Sequence, residues 1–354
     1  MHSVPLFEAT GAHVLVDGQY GSTGKGVLAA WLALRAMERG IVFDTVVSNA
    51  GPNSGHTFYH GSEKHVLKQL PTFAVASYLL HNEDFAPDVV LSAGAIIDPI
   101  QLGVEAEKYP GITIHVHPNA AVITAEDRAA EHSGTIAAVA GTRSGTGAAL
   151  ARKVQRDPKA VVAGARLPVQ MTSQPNIKVA AVEHDAYNDR VFVEVSQGFS
   201  LGINQPFYPK VTSRECTVAQ AIADAGIPPR HVTKTYLSLR TFPIRVGNVD
   251  GHDSGDWYPD QVETDWVALG VEPELTTVTQ RVRRVATWSE EQFLDACRAN
   301  DPDIVFLNFL NYIDDVEVRM RFIDGVADLR DNLPRWYDIY GSTGPKSEDV
   351  SYYG

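Results

Sequence analysis

The tightest constraint in this sequence is the stretch Gly18-Gln19-Tyr20-Gly21-Ser22-Thr23-Gly24-Lys25-Gly26. An apolar run from His13 to Val16 enters it, and an apolar run from Val27 to Met37 leaves it. The first has strand character and the second has helical length. A glycine-rich turn between a strand and a helix leaves backbone N–H groups unpaired at a positive dipole end. That arrangement receives a phosphate. Lys25 adds a point charge at the mouth of the helix.

The spacing is not that of a Walker loop, which puts four residues between its first glycine and Gly-Lys-Ser/Thr. Here five residues separate Gly18 from Gly24, and Gly26 follows the lysine. A second small-residue loop, Ser48 to Thr57, follows a strand candidate at Asp44 to Val47 and carries Asn53, Gly55 and His56. A loop histidine beside a phosphate site is a candidate general acid or cation. Further strand candidates are Asp88 to Leu91, Ile112 to Val116, Val191 to Val195 and Ile304 to Leu307. Apolar strands separated by helices predict an α/β fold with a central, mostly parallel sheet. Ligand loops then lie at the strands' C-terminal ends. No linker divides the chain, so residues 1–354 are expected to form a single large domain with a P-loop-like phosphate loop and long functional loops. Gly134 to Gly147 is expected to be a mobile loop, and Gly247 to Asp260 an exposed excursion.

A formal net charge of −13 argues against binding to duplex nucleic acid, which needs basic surface. The two cysteines, Cys216 and Cys297, have no metal-like spacing and suit free thiols in a reducing compartment. No apolar run approaches a membrane span, and no secretory signal opens the chain. These facts allow a cytoplasmic enzyme without selecting it.

Gly21-x-x-Gly24-Lys25-Gly26 followed by Asn53-x-Gly55-His56-Thr57 resembles the adenylosuccinate synthetase family. The resemblance continues in the family's order through Val66-Leu67-Lys68-Gln69-Leu70-Pro71, Ser196-Gln197-Gly198 and Tyr208-Pro209-x-Val211-Thr212-Ser213. It then takes in Thr277-Val278-Thr279-x-Arg281-x-Arg283-Arg284 and closes with Ser342-Thr343-Gly344-Pro345.

That resemblance implies a reaction in which a nucleoside triphosphate phosphorylates the 6-oxygen of a purine monophosphate. The amino group of aspartate then displaces the phosphate. It implies Mg2+, with Gly55 giving a backbone carbonyl and Ser22 standing at a second ligand position. Lys25 would lie near the transferred phosphoryl group, and His56 would be the acid at O6. Gly21, Thr23, Gly24, Gly26 and Thr57 would hold phosphate. Asn53, Thr142, Gln197 and Thr212 would hold the monophosphate. Arg156 would reach the partner subunit's monophosphate in a homodimer, and Gly344 and Pro345 would border a nucleotide. Thr277, Thr279, Arg281, Arg283 and Arg284 match the loop that binds L-aspartate, where arginine forks suit carboxylates. Gln280 replaces the glycine usual in that loop.

Two departures bear on the substrate. Ser22 stands where the family carries an aspartate that takes the N1 proton and binds magnesium. A serine hydroxyl needs its own activator to act as a base, and Asp17 is one candidate replacement carboxylate. A serine leaves room for a 2-amino group and can accept a hydrogen bond from it. This form matches a phage-associated branch of the family that acts on dGMP to make the precursor of 2-aminoadenine DNA. In the second departure, Asn308-Phe309-Leu310-Asn311 replaces a Thr-Lys-Leu-Asp-type stretch that reads guanine. Asn311 suits the N1 and N6 edge of adenine, and Phe309 offers a stacking face. ATP or dATP as donor follows. Two alternatives stay open: an ordinary synthetase using IMP, aspartate and GTP, and a catalytically inactive nucleotide-binding homologue.

Overall fold

The computed structural model describes residues 4–133, 141–156, 162–166, 174–182, 189–248, 251–276 and 280–354. Their centre is a ten-stranded sheet. Its order across is Val350–Tyr352, Asp338–Ser342, Ile304–Asn308, Val232–Arg240, Gly11–Asp17, Arg190–Glu194, Thr45–Ser48, Asp88–Leu91, Ile114–Val116 and Ile177–Val179. Every pair is parallel except the edge pair Asp338–Ser342 with Val350–Tyr352. The first strand therefore lies at mid-sheet, between two strands that come far later in the chain.

Alternation along the strands builds two cores, one on each face. Leu15, Val46, Val89, Phe192 and Phe306 face the helices Lys25–Glu38 and Thr72–Leu80. Val14, Val16, Val47, Val193, Leu237 and Leu307 face Val218–Ala225, Glu290–Asn300 and Val316–Asp328. Within the first helix, Leu28, Trp31 and Leu32 recur at helical spacing and are buried. Each such burial contributes about 1.5–3 kcal/mol. This is the doubly covered parallel sheet that near-continuous apolar strands require.

The helix Lys25–Glu38 starts at Gly24, whose φ of 86° is left-handed. A Cβ there would lie 2.7 Å from the Asn308 side chain. Two residues on, a Cβ at Gly26 would lie 2.3 Å from the Thr57 carbonyl oxygen. Glycine at both places lets the phosphate loop touch the end of the strand Ile304–Asn308 on one side. On the other side it meets the hairpin His56–His60/Glu63–Leu67.

The described residues of the Gly247 to Asp260 segment are mostly exposed, as expected, but the segment is pinned at points: Ser254 and Tyr258 are buried, and Arg245 donates to the Ser254 carbonyl at 2.6 and 2.9 Å. Burying a guanidinium demands such partners. Of the Gly134 to Gly147 stretch, residues 134–140 lie outside the described residues, and the helix Thr146–Val154 takes over its end. The strand Val232–Arg240 has no counterpart among the strands expected from sequence.

Candidate active site

The phosphate loop is built over one buried carboxylate. Asp17 ends the first strand and is 0% exposed. Its Oδ1 accepts the N–H groups of Gln19 at 2.9 Å and Gly21 at 3.3 Å. Its Oδ2 accepts the Thr23 hydroxyl at 2.6 Å and Lys25 Nζ at 2.9 Å. Lys25 also donates to the Gln197 carbonyl at 2.8 Å. Below the loop, Asn308 donates to the Thr23 carbonyl at 2.7 Å. Asp17 thus fixes the shape of the loop and the reach of its lysine. With four donors on its two oxygens it is an anchor, not a poised base. Ser22, at φ 54°, is the exposed residue at the tip.

Across from the loop, His56 Nδ1 meets Glu194 Oε1 at 2.7 Å. The other Glu194 oxygen accepts the Phe73 N–H at 3.0 Å, at the start of the helix Thr72–Leu80. Burial pushes the Glu194 carboxyl up, but the His56 contact and two backbone donors outweigh it and hold the group below its ordinary value. An ionised Glu194 accepts a hydrogen bond from Nδ1–H, which leaves Nε2 for the cavity. This is how a carboxylate fixes a histidine's tautomer. His56 Nε2 and Gln197 Nε2 are both buried without a partner among the described residues. Both residues line the same cavity. Buried polar atoms left unpaired at a cavity wall are prepared for a ligand.

That cavity has a volume of about 730 Å³, the size of a site for small molecules or nucleotides. It gathers most of the residues expected from sequence. Gly21, Ser22, Thr23, Gly24, Lys25 and Gly26 form one wall. Asn53, Gly55, His56 and Thr57 form the next, and Thr142, Gln197 and Thr212 converge on it. Asn311, Gly344 and Pro345 close the far end, with Arg283 beside them. Burial holds the Arg283 guanidinium below its ordinary value, against the pull of Glu274.

Three arginines stand elsewhere. Arg284 is paired with Glu263 at 2.5 Å and donates to the Gly255 carbonyl at 2.7 Å. Arg281 reaches the Asn248 carbonyl at 3.4 Å. Arg156 is exposed just past the helix Thr146–Val154. Thr277 and Thr279 lie outside the described residues. The geometry adds Glu194, and a further pair, Arg240 and Glu274, joined at 2.5 Å.

Known proteins resemble this chain along most of its length. The chain is 38% identical to the N6-succino-2-amino-2'-deoxyadenylate synthase of Vibrio phage phiVC8, over 85% of this chain and 86% of that one. It belongs to the adenylosuccinate synthetase family. Members of the adenylosuccinate synthetase family are enzymes that form carbon–nitrogen bonds, and the family's sequence profile matches residues 169–328. A second relative of that synthase name, from Salmonella phage PMBT28, is 37% identical over 96% of both chains. Among solved structures, the succinoaminodeoxyadenylate synthetase of cyanophage S-2L, bound to dGMP and dATP, superposes with a TM-score of 0.83. It is 32% identical and the match spans 98% of this chain and 96% of that one. Among the described residues no helix is long and apolar enough to cross a membrane.

Proposed function

We propose that this adenylosuccinate synthetase family member joins dGMP to L-aspartate at the expense of ATP or dATP. The product is N6-succino-2-amino-2'-deoxyadenylate, for 2-aminoadenine DNA synthesis. One observation carries the reading: the exposed tip of the phosphate loop, inside the cavity, is Ser22. A short hydroxyl there leaves space for the guanine 2-amino group and can accept its hydrogen bond. The phage relatives that share the chain's length support the same substrate. The further expectations of one domain, a homodimer with Arg156 donated across the interface, and a host-cytoplasm location go with this reading.

In the first half-reaction guanine N1 gives its proton to solvent as the γ-phosphoryl group moves from the donor triphosphate to O6, and the nucleoside diphosphate leaves. In the second, the aspartate amine attacks C6 and phosphate leaves with its oxygen. His56, held by Glu194, supplies a proton donor at O6 through Nε2. Lys25 and the loop N–H groups stabilise charge on the moving phosphoryl group. Arg283 holds a carboxylate of aspartate. The hydroxyl of Ser22 and the carbonyl of Gly55 are hard oxygen donors, the kind Mg2+ takes alongside phosphates. The described residues hold no cluster of acidic or imidazole ligands that would suit another metal. When bound, Mg2+ supplies charge neutralisation for the phosphates.

The test is competition between dGMP and IMP at fixed aspartate, magnesium and ATP. The expected outcome is a higher kcat/KM for dGMP, reduced in Ser22→Asp by crowding of the 2-amino group. A higher kcat/KM for IMP would instead assign the chain to the ordinary synthetases. No turnover with either would leave the inactive homologue.

A further inference from the structure

Arg240 ends the strand Val232–Arg240 and is 0% exposed. Its backbone is clamped by Gln19, which accepts the Arg240 N–H at 3.0 Å and donates to its carbonyl at 3.1 Å. Its guanidinium touches three segments that line the cavity. Nη1 donates to the Ser22 carbonyl at 3.1 Å. Nη1 and Nη2 donate to the two Glu274 oxygens at 3.3 and 2.5 Å, just ahead of the arginine loop. The guanidinium carbon Cζ lies over the Phe309 ring, 4.0 Å from its centre. The Tyr312 hydroxyl closes the cluster by donating to Glu274 Oε1 at 2.8 Å.

Two observations give this cluster a task beyond filling space. Phe309 sits at φ 60°, a left-handed conformation that side chains avoid. It is held there by the Thr241 hydroxyl, which donates to its carbonyl at 2.8 Å, and by the guanidinium stacked on its ring. Glu274 is also the single carboxylate among the described residues that line the cavity. Burial alone would push it up, but the charge and hydrogen bonds of Arg240 bring it below its ordinary value. It is held as an anion and bound at both oxygens.

We propose that Arg240 is a positioning residue that couples the two nucleotide subsites. One end of the guanidinium sets the Ser22 carbonyl, and with it the loop tip that faces the acceptor purine. Its face sets the Phe309 ring, on which the donor purine stacks. Glu274 locks the guanidinium in the one orientation that serves both. A donor that orders Phe309 thereby orders Ser22, so each nucleotide tightens the other, as linkage requires. This inference rests on the reading that Ser22 and Phe309 face the two nucleotides.

The test measures dGMP affinity by calorimetry with and without β,γ-imido-ATP, in the presence of magnesium. Wild type is expected to bind dGMP about fivefold or more tightly with the analogue present. Arg240→Lys keeps a charge beside Glu274 but loses the fork and the flat stack. Its ratio is expected to fall below about twofold, with dGMP affinity alone changed less than about threefold. The pair Arg240→Met/Glu274→Gln removes both charges together, so no buried ion is stranded, and is expected to show the same loss. A guanidinium that only fills the core would lower the melting temperature and leave the ratio at its wild-type value. An unchanged ratio in either variant, or a wild-type ratio of one, overturns the proposal. So does a Glu274→Gln variant that loses turnover with its ratio intact, which would make Glu274 a proton acceptor instead. If wild type prefers IMP, the substrate reading fails by itself, and the same ratio is measured with IMP.

Discussion

Glu194 shows what a single residue contributes that its sequence does not announce. In Val191-Phe192-Val193-Glu194-Val195 it is one acid in an apolar strand, and apolar neighbours usually mark such a position as a strand end. Only the fold brings His56 within 2.7 Å of it, from a hairpin more than a hundred residues earlier. His56 itself was legible, because a loop histidine beside a glycine-rich turn has a chemical reason to be there. Its partner was not, since a pairing across the sheet leaves no mark on spacing. The pair makes a prediction. His56→Ala is expected to cut kcat about a hundredfold or more, with smaller changes in nucleotide affinity. Glu194→Gln keeps shape and hydrogen bonding but removes the charge that supports an imidazolium. It is expected to cost about tenfold or more in kcat. Steady-state kinetics checks both, and a Glu194→Gln enzyme with wild-type kcat would remove Glu194 from the chemistry.

At the scale of elements, the apolar strands were readable and the polar one was not. Asp88–Leu91 and Ile304–Asn308 follow from their runs of branched residues. Val232–Arg240 carries Lys234, Thr235, Ser238 and Arg240, all buried. Its polar groups serve partners on neighbouring elements: Ser238 meets the Thr23 hydroxyl at 3.0 Å and Lys234 meets Glu8 at 2.9 Å. A strand whose buried face is polar breaks the pattern by which buried strands are found. The loop after Ile304–Asn308 was readable through its chemistry, and it carries the second prediction. Asn311 lines the cavity and offers one donor and one acceptor to adenine's edge. Guanine presents two donors there, and each mismatch leaves a group unpaired at about 1–3 kcal/mol. Wild type is therefore expected to prefer ATP or dATP over GTP by about five- to a hundredfold. Asn311→Asp is expected to shift that preference toward GTP. Donor competition at one magnesium concentration measures it, and a wild type that uses GTP best would mean other residues read the base.

For the whole molecule, the inner sheet has an acid-sensitive point far from the cavity. His13 lies on the first strand at 0% exposure, with its Nδ1 3.0 Å from the Tyr236 hydroxyl. Burial first, then Lys234 and Arg190, pull its pKa from 6.5 down to about 3. The folded chain keeps this ring neutral while the unfolded chain protonates it below its ordinary value. Its contribution is whole above pH 6.5 and shrinks as pH falls toward 3. At pH 5 the loss is about 2 kcal/mol. Lys234 and Arg190 oppose the charged ring from neighbouring strands, and the weaker pull the other way is a hydrogen bond to the Glu8 backbone. His13→Phe is expected to show a smaller drop in melting temperature between pH 7.5 and pH 5 than wild type. Equal drops would mean that other groups carry the acid sensitivity. The strand order has a separate consequence, for synthesis. Gly11–Asp17 finds one neighbour only when residues 190–194 exist and the other only when residues 232–240 exist. The cavity waits longer still, for Gly344 and Pro345. During translation the first strand and its glycine loop must therefore spend most of the chain's emergence without a sheet to join. Contacts so distant in sequence are slow to form and leave apolar edges open meanwhile. Free nucleotide cannot meet the complete cavity on the emerging chain until residues 344–345 have been made. Chaperone demand should thus fall on the nascent chain, and nucleotide protection only on the finished one.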